Sequence, residues 1–156
     1  MRVILEIIKR VSRQWTALDS SLEGSSKEIA IFLAGDFNSL PEQEAYLEME
    51  HSNLMTDFRE HVPLGKRYGD ETTFTGFHKD QDPEDQGRID FIWLGPKDMV
   101  ESQNSDSRPD LAPVPEKKCL RWIVHRYAVL PNVFEDGMYN SDHRAVVGDV
   151  SLHLSL

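Results

Sequence analysis

The sequence predicts an α+β chain whose strands outnumber its helices and stack as layers. Three observations carry that expectation. An amphipathic helical period opens the chain, a series of short apolar runs of strand length follows it, and long polar connections separate those runs. At 156 residues with 39% apolar and 28% charged side chains, the chain matches one domain with a core of its own.

Ile4, Ile8, Val11, Trp15 and Leu18 recur at three- and four-residue spacing, with Val3 and Ile7 beside them, while Arg2, Glu6, Lys9, Arg10 and Arg13 fill the opposite face. The stripe is already running at Val3 with no capping residue ahead of it, as expected of a chain that begins inside an element of a longer protein and equally of a ragged natural terminus. Asp19 to Lys27 is a polar, serine-rich loop. Ile29 to Ala34 is a continuous apolar run ending at Gly35 and predicts a strand buried on both faces. Pro41 to Met49 predicts a helix with proline in its first turn, and Asn53 to His61 a further short one. Thr72 to Phe77 alternates and reads as a strand; His78 to Gln86 is an acidic loop. Arg88 to Leu94 is the next strand, stopped by Gly95-Pro96. Residues 101–118, rich in Ser, Asp, Pro and Lys, read as a polar loop insertion within the same domain. Arg121 to Leu130 and Ala145 to Leu154 close the chain as strands.

Composition limits function. Seventeen basic residues against 27 acidic ones give a net charge of −10, which argues against gripping nucleic acid through a broad basic surface. It leaves room for a nuclease, because a metal-loaded acidic site carries its own positive charge. The single cysteine, Cys119, excludes an intramolecular disulfide and any cysteine-built zinc site, and favours an intracellular setting. No apolar run approaches the length of a membrane span.

Three acidic signals stand beside strands. At Gly35-Asp36-Phe37-Asn38, a period of two puts Asp36 and Asn38 on one side and turns Phe37 to the core; the same residues also make a common turn. Asp90, between Ile89 and Phe91, is a carboxylate in an otherwise apolar strand, costly unless paired or bound, with Arg88 one candidate partner. Ser141-Asp142-His143-Arg144 sets a carboxylate next to an imidazole just before the last strand.

In this order, Gly-Asp-Phe-Asn, Arg-Ile-Asp-Phe-Ile and Ser-Asp-His-Arg resemble the endonuclease/exonuclease/phosphatase superfamily, the metal-dependent phosphodiesterases related to DNase I. The resemblance spans nearly the whole chain. It implies a four-layer α/β sandwich and a Mg²⁺- or Mn²⁺-dependent hydrolysis of a phosphate ester, in a nucleic acid or a small phosphorylated molecule. It also implies roles: Asp36 orients or deprotonates the attacking water, Asn38 stabilises the phosphate, and Asp90 supports the same site. Asp142 binds metal or orients His143, and His143 hydrogen-bonds the scissile phosphate. Arg88 is a candidate contact to substrate phosphate. The family's amino-terminal half, with the Glu that is its principal metal ligand and a second His, has no counterpart here. The chain therefore resembles the carboxy-terminal half, about one sheet with its flanking helices, and impaired activity is expected of it alone. A non-catalytic interaction domain binding through the open sheet face, or the product of an incomplete gene model, is the alternative. His51, His61, His78, His125 and His153 lie outside the motifs and read as surface or satisfied core residues.

Overall fold

The structure is a computed structural model describing residues 1–18, 29–78, 80, 82–101 and 119–155. Helix α1 spans Arg2–Leu18, as the period predicts. Its buried contact is made by Leu5, with Met1 and Ile8 beside it, so only one flank of the apolar stripe is covered. Val3, Ile7, Val11 and Trp15 face outward, Trp15 being 61% exposed.

Strand β1, Ile31–Asp36, corrects one expectation. Among the described residues it is an edge strand rather than one buried on both faces, and Phe32 is 58% exposed. A continuous apolar run marks a strand that could be covered twice; only the surrounding chain decides whether it is. Helix α2, Glu44–His51, starts later than predicted. Pro41 instead sits inside a turn closed by the Gln43 amide on the Leu40 carbonyl (3.0 Å), a position where its fixed φ is equally at home. The helix expected over Asn53–His61 is replaced by the two-residue strand β2, Thr56–Asp57, and a 3₁₀ turn, Phe58–His61. The Asp57 side chain caps that turn, accepting from the Arg59 amide at 3.1 Å.

Two more short strands follow in chain order around the long β4: β3, Arg67–Gly69, then β4, Asp90–Gly95, then β5, Val100–Glu101. Strands β6, Cys119–Val129, and β7, Val146–Ser155, match the last two predicted runs closely. The loop insertion expected over 101–118 lies outside the described residues beyond Glu101. Thr72–Phe77 does not extend as a strand. Phe74 bridges Gly87 on one side and His143 on the other, lacing two distant segments together.

The strands divide between two sheets, so the sandwich is partial but contains a portion of both sheets rather than one sheet entire. The first has order β1-β4-β2, all antiparallel; in the second, β6 takes β3 and β5 in parallel and β7 antiparallel. Alternation along β4 decides the core. Phe91 and Trp93 face the helices with Leu5, Tyr46, Met49 and Met55, while Ile92 and Leu94 face the second sheet with Val124, Tyr127 and Val129. The order of layers is helices, first sheet, second sheet. Burying these side chains supplies about 25 cal/mol per Å² of apolar surface removed from water. No helix among the described residues is long and apolar enough to cross a membrane.

Candidate active site

The antiparallel register of β1 and β4 sets Asp36 directly opposite Asp90. Two like charges across a strand pair repel, so something must compensate them. His143 does: its Nδ1 lies 2.9 Å from Asp90 Oδ2. The imidazole arrives on the segment preceding β7, which is tied down by Thr72–Phe77. The Thr75 amide donates to the Asp142 carbonyl (2.8 Å), the Arg144 amide donates to the Thr73 carbonyl (2.7 Å), and the Phe74 ring packs edge-on against His143 at 5.1 Å. Ser141 Oγ accepts from the His143 amide at 3.0 Å, bending the chain so that the ring turns to Asp90.

Partial burial lowers the His143 pKa, but the hydrogen bond that its Nδ1 donates to Asp90 and the charges of Asp90, Asp142 and Asp36 outweigh it. The net direction is upward, and the imidazolium is favoured. Its Nε2 lies on the opposite side of the ring from the nitrogen that meets Asp90.

Asp36 is held by its own loop. Its Oδ1 accepts from the Asn38 amide (2.7 Å) and its Oδ2 from Asn38 Nδ2 (3.1 Å). Asn38 has φ +47°, a left-handed conformation that asparagine tolerates better than most residues. Between them Phe37 packs on Phe91 and Trp93, anchoring the loop to the core. Turn and cluster are thus one object, since the turn presents both polar groups.

Three residues that the motifs do not name, Thr73, Thr75 and Asn132, hold this arrangement. Thr73, fully buried, accepts from the amides of Ile89 and Asp90 through Oγ1 (3.0 and 3.1 Å), fixing where β4 begins. Asn132, also buried, donates from Nδ2 to Thr75 Oγ1 (2.8 Å) and to the Ser141 carbonyl (2.7 Å). The polar side chains of Thr73 and Thr75 inside an alternating run were a signal for this; Asn132, a single polar residue between Pro131 and Val133, offered none. A cleft of about 380 Å³ opens beside His143, lined in part by Pro131, Asn132, Asn140 and Ser141.

Asp36, Asn38, Asp90, Asp142 and His143 are therefore brought together, and Arg88 is not. Its Nη1 lies 2.8 Å from Asp57 Oδ2, with 9% and 4% of the two side chains exposed. The guanidinium stacks over Phe91 at 4.5 Å, and Tyr46 donates to the same Asp57 oxygen at 3.1 Å. Because β4 starts only at Asp90, its alternation does not reach back to Arg88, which turns to the helix side instead. Burial works against the Arg88 charge, and Asp57 outweighs it. The enclosed cation is the structural partner of Asp57.

A hard divalent cation takes six or more oxygen ligands, of which the protein normally supplies several. No group of three potential ligands is formed among the described residues. Asp36 is engaged twice by Asn38, and Asp90 by His143. The residues present do not by themselves make a Mg²⁺ or Mn²⁺ site.

No protein-family model and no curated protein matches the chain. Solved structures do. A phosphatase of Bacteroides thetaiotaomicron described as a mannosyl-6-phosphatase superposes with a TM-score of 0.55 at 22% identity, covering 90% of this chain and 43% of that one. An endonuclease/exonuclease/phosphatase family protein of the same organism gives 0.56 at 20%, covering 90% and 40%. A Bacteroides vulgatus protein of that family gives 0.55 at 20%, covering 92% and 45%. The chain spans less than half the length of the structures it matches. What it shares with them is the fold: the chain adopts a partial form of the fold seen in these endonuclease/exonuclease/phosphatase structures.

Proposed function

We propose that this chain carries the carboxy-terminal half of a phosphoester hydrolase site, of nuclease or phosphatase type. The observation that supports this best is the Asp90–His143 hydrogen bond. It joins residues 53 apart in sequence, at a point where Asp36 stands opposite Asp90 and Asp142 adjoins the histidine. In this reading Asp36 takes a proton from water as its oxygen attacks phosphorus and the ester P–O bond breaks; the leaving oxygen is protonated by solvent. Asn38 and the Nε2–H of His143 donate to phosphate oxygens, Asp90 holds the imidazole in register, and Asp142 adds to its charge. Mg²⁺ or Mn²⁺ belongs to the complete domain, held chiefly by residues this chain does not contain.

The same reading assigns a partner. β1 offers an edge with no neighbour among the described residues, and beside it Ile7, Val11, Trp15 and Phe32 line an apolar groove. We infer that the rest of such a domain packs there, and that the chain alone is inactive or severely impaired. The test is hydrolysis of a generic phosphodiester and a generic phosphomonoester with Mg²⁺, with and without EDTA, against Asp36→Ala. Turnover at the variant's level is expected. EDTA-sensitive turnover lost in the variant would overturn the impairment while keeping the site. Inorganic phosphate should still perturb the His143 ring resonances, and a ring indifferent to phosphate would sink the half-site itself.

A further inference from the structure

Far along β7 from the Asp90–His143 cluster, two histidines that belong to no motif meet on the outer face of the second sheet. His125 Nε2 lies 2.8 Å from Ser151 Oγ, and His153 Nε2 lies 3.0 Å from the same oxygen. Both rings present the same nitrogen to one point, so the two nitrogens are no more than about 6 Å apart. A β-bulge produces the convergence. The β6–β7 register runs Val124↔Val150 and then Arg126↔Asp149, leaving His125 as the inserted residue. Val124 and Tyr127 are both buried, so the extra residue places His125 and Arg126 together on the outer face. His153 and Ser151 are two apart on β7 and share that face by alternation.

Nothing in the core needs this pair. Neither ring belongs to either hydrophobic cluster, and one hydroxyl is the partner of both. Two imidazoles with Nε2 converging on one point, held on a paired strand ladder, are the donor set of a borderline transition metal. The ion needs each nitrogen at about 2.0–2.1 Å, which small rotations of the two rings provide once the Ser151 hydroxyl swings aside. Water fills the remaining positions. Carboxylates are not required, which separates this chemistry from that of a hard cation such as Mg²⁺.

We propose that His125 and His153 form a two-imidazole clip for a divalent transition-metal ion of the copper, nickel or zinc class, distinct from the phosphoester site. The clip follows from the bulge and does not depend on the hydrolase reading.

The experiment titrates the full chain with Zn²⁺ by calorimetry near neutral pH and with Cu²⁺ by electron paramagnetic resonance. One ion per chain is expected, with two equatorial imidazole nitrogens in the copper spectrum. His125→Ala and His153→Ala should each weaken binding by about tenfold or more. His51→Ala, on a separate helix, should bind as the parent does. Both replaced residues lie on the solvent side of the sheet, and retained circular dichroism confirms that the variants fold. The absence of saturable binding overturns the assignment. So does binding that survives both replacements, or that follows His51 instead.

Discussion

At the scale of single residues, His143 is the group whose chemistry is most exposed to test. Its pKa is raised in the folded chain, chiefly by Asp90 once the opposing effect of burial is overcome. The stabilisation this brings is complete below the ordinary imidazole value near 6.5 and is lost as pH climbs through the folded one. Stability measured by denaturant titration should therefore fall as pH rises past neutrality. Asp90→Asn should move the His143 titration seen by NMR downward and flatten that dependence; an unmoved titration would refute the coupling. Arg88 makes the opposite case. Reading it as a phosphate contact placed it by sequence neighbourhood, whereas its partner Asp57 is 31 residues away. Arg88→Ala should strand a buried carboxylate and cost about 3–5 kcal/mol in chemical unfolding, a loss that a surface phosphate contact would not produce. Asp36, Asn38, Asp90, Asp142 and His143 were legible because short-range patterning puts each polar group beside an apolar run. Asn132 and the His125–His153 pair were not, because only long-range pairing gives those side chains their partners.

Among the elements, length decided legibility. α1, β4, β6 and β7 carry enough residues for a period to show, and their bounds follow the sequence closely. β2, β3 and β5 have two or three residues each, too few to display alternation, and they exist because β4 and β6 offer ladders to join. Thr72–Phe77 shows the converse: it alternates like a strand, yet its backbone bonds are shared between Gly87 and the Asp142–Arg144 segment. Gly69 is where a short element has a strict local requirement. It lies in β3 at φ +81°, and a Cβ there would collide with the Val129 carbonyl across the β3–β6 ladder. Gly69→Ala should cost about 1–3 kcal/mol from overpacking, with the left-handed conformation adding to it. Gly65→Ala, where the added carbon meets nothing within 4 Å, serves as the control. Equal unfolding midpoints for the two variants would refute the close approach.

For the whole molecule, the decisive feature is two sheets packed through one set of side chains while an edge of each stays open among the described residues. Sheet edges expose backbone donors and acceptors, and edge strands this long invite pairing. That agrees with a chain that covers 40–45% of the solved structures sharing its fold. The amino-acid sequence by itself determined the mixture of helix and strand, the long elements, and the acidic motifs at strand ends, because periodicity and turn chemistry act over a few residues. Tertiary structure alone decided that β1 is an edge, that Arg88 faces Asp57, and that His143 rather than Arg88 answers Asp90. It also decided that His125 meets His153. Each of these depends on which distant segment fills the neighbouring space, and a local pattern cannot carry that choice.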